Sequence, residues 1–157
     1  MGYNYGKKFE LKFREDWIKS FPDSFIQRLQ DNQSGYYGTS SNTCDFITFT
    51  NGKLFLIECK STHGNTLPFS NIRQYDKLLA QRGKPGVSPG ILVWWIDKFK
   101  IAWVPITSVE KMKNDGKKSI NIKMLDEHEY VLFEIPSIKK RVFLDSDYTS
   151  ILTFGGN

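Results

Sequence analysis

The stretch Cys44-Asp45-Phe46-Ile47-Thr48-Phe49-Thr50, Asn51-Gly52, Lys53-Leu54-Phe55-Leu56-Ile57-Glu58-Cys59-Lys60 decides the fold. Two runs rich in β-branched and aromatic residues are joined by Asn-Gly, the strongest short signal for a hairpin. Side chains alternate along a strand, so Glu58 and Lys60 point to one face while Phe55, Ile57 and Cys59 point to the other. The apolar face belongs to the core, which puts charges on the opposite face of an interior strand, where burial without purpose costs several kcal/mol each. Asp45 lies on the other arm, and with strands about 4.8 Å apart its carboxylate can approach that of Glu58. Two carboxylates and an amine then share one space.

That group suits hydrolysis of a phosphodiester. Hard carboxylate oxygens hold Mg²⁺ or Mn²⁺, the ion activates water and offsets charge on the phosphate, and Lys60 adds a compact positive charge for the transition state. A bare Glu-x-Lys tripeptide also reads as an exposed ion pair worth little. Asp45, the intervening turn and the apolar back of the strand favour the functional reading.

Outward from the hairpin, Phe9, Phe13 and Trp17 fall at i, i+4, i+8 and predict an amphipathic helix from Tyr5 to about Ser20, with Glu10 beside its apolar stripe. Ser24 to Leu29 alternates as a short strand, and residues 32–43 are polar and glycine-containing, a loop that leads into the site. Beyond the hairpin, Ser70 is placed as the N-cap of a helix to Gln81 that buries Ile72, Tyr75, Leu78 and Leu79. Gly90 to Ile96 is a near-continuous apolar run, hence a central strand covered on both faces, with Lys100 to Pro105 as its hairpin partner. A short helix over Thr107 to Lys113, a turn at Asp115-Gly116 and late strands at Tyr130 to Ile135 and Arg141 to Leu144 complete the reading. The order describes an α/β (α+β) architecture, a central mixed β-sheet flanked by helices, with the 157 residues forming a single domain.

The net charge of +5 favours an anionic partner, nucleic acid first among them. No apolar stretch approaches the roughly 18 residues of a membrane span, and the start of the chain lacks a signal-peptide core, so a cytoplasmic protein is expected. In that setting Cys44 and Cys59 are small core residues rather than a disulfide. His63 and His128 are too few and too far apart for zinc.

Asp45 followed after twelve residues by Glu58-x-Lys60 across a hairpin resembles the core of the PD-(D/E)xK, restriction-endonuclease-like nucleases. Asn4-Tyr5-Gly6 with Glu10, Thr43-Cys44-Asp45-Phe46, Glu58-Cys59-Lys60-Ser61-Thr62, Leu67-Pro68-Phe69-Ser70-Asn71-Ile72 and Gly116-Lys117-Lys118-Ser119-Ile120 are similar to RecU-type Holliday-junction resolvases. The resemblance implies a homodimer that nicks two strands of a four-way DNA junction with Mg²⁺ or Mn²⁺. It makes Asp45 and Glu58 metal ligands and Lys60 the transition-state lysine. Thr43 becomes a further metal-site contact, and Glu10 a helix-borne carboxylate that reaches the same cleft.

Two departures stand out. Asp76 occupies the position at which the family carries a metal-associated glutamine, with Gln74 close by, and either can approach the ion through water. Between Phe21 and Thr43 the chain is too short for the basic stalk of cellular members, and the compact form points to a phage or mobile-element version. Tyr36 and Tyr37 in that segment are candidates for stacking on unpaired bases. Lys7, Lys8, Lys12, Arg14, Lys117, Lys118, Lys139, Lys140 and Arg141 are candidates for phosphate contacts. The alternatives are another DNA nuclease on the same core, serving restriction or recombination, and a noncatalytic DNA-binding module.

Overall fold

The computed structural model describes residues 2–30 and 42–154. Its elements in chain order are α1 (Tyr5–Ser20), β1 (Phe25–Arg28), β2 (Phe46–Thr50), β3 (Lys53–Thr62), β4 (Thr66–Pro68), α2 (Tyr75–Leu79), β5 (Val87–Trp95), β6 (Lys100–Pro105), α3 (Ile106–Asn114), β7 (Ser119–Asn121), α4 (Met124–Glu127), β8 (Phe133–Glu134), β9 (Ser137–Lys139) and β10 (Leu144–Ser146).

The expected hairpin forms the left half of the main sheet. Asn51 and Gly52 take φ of 50° and 76°, the left-handed pair that a two-residue type I′ turn requires. The register that follows sets Phe46 opposite Ile57 and Thr50 opposite Lys53. Among the described residues the sheet has six strands in the order β1-β2-β3-β5-β6-β8. Only β3 and β5 in it run parallel, joined by the crossover that contains α2, while the remaining pairs are antiparallel. The sheet is therefore mixed, as its sequence pattern implied.

Both faces are covered. Asn4 caps α1 by accepting the Lys7 N–H at 3.1 Å, and the helix lays Phe9, Phe13 and Trp17 on Phe46, Phe55, Ile57 and Cys59. Leu78 of α2 and Ile106, Val109 and Met112 of α3 cover Leu56, Ile91, Val93 and Trp95 on the other face. Alternate residues of β5 thus enter opposite cores, which is why Gly90 to Ile96 reads as one apolar run. Gly90 itself permits a close approach: a Cβ there would sit 2.7 Å from the Trp103 ring and from the Val104 carbonyl oxygen.

The helix expected over Ser70 to Gln81 is shorter. Phe69–Asn71 is a 3₁₀ turn without a side-chain cap, Ile72 leaves helical geometry with ψ of 77°, and α2 spans only Tyr75–Leu79. Pairing of β4 with β7 and a hydrogen bond from Phe69 N–H to the Lys118 carbonyl fix this stretch first, and burial of Ile72 draws the backbone out of a helix.

The late strands also differ. Tyr130 and Val131 are held by side chains, the Tyr130 hydroxyl donating to Asp115 and the Ser108 hydroxyl to the Val131 carbonyl, so only Phe133–Glu134 joins the sheet. Of Arg141 to Leu144, Leu144 alone begins a strand, and β10 pairs with β9. That hairpin is tied to α1 through Asp16, 3% exposed, which accepts from Lys12 at 2.9 Å and from the Ser146 N–H at 3.0 Å. Among the described residues no helix is long and apolar enough to cross a membrane.

Candidate functional site

The β2–β3 register ends at Phe46 opposite Ile57, and Asp45, the next residue back, donates its N–H to the Ile57 carbonyl, which leaves its carboxyl beside that of Glu58. The alternation along β3 keeps Ile57 and Cys59 in the core beneath α1 and turns Glu58 and Lys60 to the other face, over Ile91 and Val93 of β5. Glu58 is 1% exposed. Lys60 Nζ lies 3.5 Å from its Oε1, with the lysine side chain about a quarter exposed, so the amine reaches from the buried acid toward solvent.

Asp45 is fixed from its own strand and from the next. Its Oδ2 accepts the main-chain N–H of Cys59 at 2.8 Å, its N–H donates to the Ile57 carbonyl, and its carbonyl accepts from Leu29. Burial, then the charge of the adjacent Asp45, pushes the Glu58 carboxyl up to about 9, against the opposing pull of Lys60. Two carboxylates in this proximity do not both ionise readily unless a cation joins them. As a carboxylate, Glu58 would leave its buried Oε2 with no donor facing it, a deficit of roughly 1–3 kcal/mol that a proton shared toward Asp45 relieves.

The donor set fits a hard divalent cation: a buried carboxylate oxygen that no donor meets, a second carboxylate beside it, and oxygen chemistry throughout. Among the described residues no group of three or more His, Cys, Asp or Glu side chains is arranged to hold a metal. Asp45 and Glu58 are two carboxylates side by side, a number that sites use when water and substrate phosphate fill the remaining positions.

The other predicted residues separate. Glu10 lies on α1 and its Oε2 accepts from Arg28 Nε at 3.1 Å and Nη2 at 2.9 Å. Its charge still reaches the site's edge: burial first, then the charges of Asp45, Glu10 and Glu58, raises the Cys59 thiol well above its usual range. Arg28 as the partner of Glu10 was missed in the sequence, where it is one polar residue of an alternating strand. Thr43 is half-buried in the bend before Asp45. Asp76 is exposed, whereas Gln74 on the same side of the sheet as Glu58 has a buried Oε1 without a partner. Of the two, Gln74 turns its oxygen inward.

Cys44 and Cys59 are free, buried thiols, as expected, and burial pushes Cys44 up to about 12. Lys7 and Lys8 are exposed on the first turns of α1, while Lys117 and Lys118 are exposed after α3, on the side where Ile120 enters the opposite core. These pairs lie on opposite faces of the sheet. Lys12, a candidate phosphate contact, is instead an internal tie, 2.6 Å from Asp145 and 2.9 Å from Asp16. Tyr36 and Tyr37 lie outside the described residues. On the near side of that segment, the Asn42 side-chain amide donates to the Gln30 carbonyl.

A protein of known structure shares the fold. The Holliday junction resolvase Hjc of the archaeal hyperthermophile Archaeoglobus fulgidus matches with a TM-score of 0.52 at 18% identity, over 74% of this chain and 88% of that one. Curated protein sequences gave no match. The sequence profile of Recombination protein U matches residues 23–145, a span that holds the whole hairpin, both carboxylates and Lys60. The chain belongs to the Recombination protein U (RecU) family.

Proposed function

We propose that the protein is a divalent-metal-dependent endodeoxyribonuclease that resolves four-way DNA junctions in recombination and repair, working as a single nuclease domain in a two-fold homodimer. The observation that carries this reading is the adjacent pair of carboxyls Asp45 and Glu58, with a buried Oε2 on Glu58 that no donor meets and Lys60 alongside. Asp45 and Glu58 would hold the Mg²⁺ or Mn²⁺, with Thr43 and Gln74 as further contacts and Asp76 as the more distant alternative. When bound, the ion supplies Lewis-acid stabilisation of the phosphate and a more acidic water.

The protein's own groups do the rest. Lys60 places its ammonium beside Glu58, where it stabilises negative charge that develops on the phosphate. Asp45, locked by the Cys59 N–H, keeps its orientation without reorganisation during the reaction. Glu10, held by Arg28, adds negative charge at the rim and orients the helix side of the cleft. Lys7, Lys8, Lys117, Lys118, Tyr36 and Tyr37 are the DNA-contact candidates, and a two-fold dimer matches a substrate cut symmetrically on two strands. Two reduced, buried thiols suit the cytoplasm.

The test is cleavage of a synthetic four-way junction. Cutting should require Mg²⁺ or Mn²⁺, stop in EDTA and disappear in Asp45→Ala while binding persists, and linear duplex should compete poorly. Undiminished cleavage by Asp45→Ala would sink the site assignment. Equal cutting of junction, fork and duplex would remove the junction preference and leave the nuclease.

A further inference from the structure

Three residues beyond Lys60, at the end of β3, His63 forms a side-chain pair that the nuclease site does not use. Its Nδ1 lies 3.0 Å from Asp97 Oδ1, and the second oxygen of Asp97 accepts the Gly64 N–H at 2.7 Å. Asp97 comes from the turn between β5 and β6, so one carboxylate clamps the end of the site strand to its central neighbour. Tyr5, the first residue of α1, packs its ring edge-on against the imidazole with centroids 5.0 Å apart. The pair is nevertheless open to solvent, at 60% and 50% side-chain exposure, and an exposed ion pair contributes little to stability. The His63 hydrogen bond, followed by that of Gly64, holds the Asp97 carboxyl below its usual range.

We infer that His63 is a DNA-backbone contact, a clamp on a nonscissile phosphate beside the cleavage site. With Nδ1 turned to Asp97, Nε2 is the nitrogen left to meet a ligand, and it donates to a phosphate oxygen when the ring carries both protons. A phosphate oxygen at Nε2 completes an anion–imidazolium–anion sandwich, in which Asp97 supports the charge that the phosphate needs. The three residues from Lys60 span about 10 Å of extended chain. His63 lies on the α1 side of the sheet, where Tyr5 meets it, so a strand engaged at Lys60 reaches it by passing the end of β3, at one phosphate per ~3.4 Å of axis. The hollow around it is lined by Tyr3, Asn4, Tyr5, Ser61, Thr62 and His63, mostly polar groups of a size to hydrogen-bond a sugar-phosphate backbone. The charged and titratable groups about the ring are Asp97, its neighbour Lys98 and the Tyr5 phenol.

The inference rests on the nuclease reading for the position of the DNA, and the experiment separates the two. Junction binding is measured in EDTA, and KM and kcat in Mg²⁺, for wild type, His63→Ala, His63→Lys and Asp97→Asn, each with its melting temperature. His63→Ala should weaken binding and raise KM about fivefold, ~1 kcal/mol, with kcat within twofold. His63→Lys, a cation without need of Asp97, should restore both, and Asp97→Asn should weaken binding without that rescue. Unchanged KM and binding in a stable His63→Ala that still cuts would overturn the assignment, as would failure of His63→Lys to rescue. If wild type binds junctions but never cuts them, the nuclease reading falls, while a loss of binding in His63→Ala still supports the contact.

Discussion

Glu58→Gln should make the metal-free protein more stable while destroying its cleavage. The wild-type carboxyl is pushed up to about 9 in the folded chain from an ordinary value of 4.5. Between those values the folded protein keeps a proton that the unfolded chain has released, so stability declines as pH rises through that window. At pH 7.5, three units above the unfolded value, the full linkage would be ~4 kcal/mol at 1.36 kcal/mol per unit. Asp45 and Lys60 share the titration, and we expect about half of that. A glutamine has no charge to suppress, fills the same volume, and can donate its amide to Asp45 while its oxygen faces Lys60. At 2–4 °C per kcal/mol for a chain of this size, Tm should rise by ~4–8 °C. The assay is thermal unfolding in EDTA from pH 5 to 8.5. The gap between variant and wild type should be near zero at pH 5 and widen steadily with pH. Mg²⁺ should then stabilise wild type and leave Glu58→Gln unmoved. A gap that is flat with pH, or a variant that melts below wild type at pH 8, refutes the account of Glu58 as an acid buried against a neighbouring carboxylate.

Asp16→Ala should cost ~2–4 kcal/mol by chemical denaturation, because it strips the partner from the Ser146 N–H and half the anchorage from Lys12, freeing the β9–β10 hairpin from α1. Gly90→Ala should cost ~1–3 kcal/mol, since the new Cβ meets the Trp103 ring and Val104 carbonyl at 2.7 Å; a neutral melting curve would mean that β6 yields freely. Cys44 and Cys59, buried and with thiols held far above neutrality, should resist a thiol reagent at pH 8 in the native protein and react at once in denaturant. Fast native labelling would show that the hairpin base opens readily.

What the sequence disclosed and what it hid follow from the range of the interactions involved. The β2–β3 hairpin, α1 and β5 were legible because each is set by local pattern: a turn dipeptide, an i, i+4, i+8 stripe, a doubly covered apolar run. The approach of the Asp45 carboxyl to that of Glu58 was legible for the same reason, since a two-residue turn sets the register of the two arms up to Phe46 opposite Ile57. The region after Pro68 was not, because the contest between a helix and the 3₁₀ turn is decided by β7, some fifty residues on. Long-range partners likewise escaped pattern: Arg28 for Glu10, Asp145 for Lys12, Asp97 for His63. In each of these three pairs a cation that reads as free charge in the sequence, or a histidine that reads as a lone residue, has a carboxylate brought to it by the sheet and its flanking helix. The consequence for function is that charge counting overestimates the surface available to DNA. Lys12 is withdrawn from it, while the His63–Asp97 pair, silent in the composition, stands at the end of the strand that carries Glu58 and Lys60.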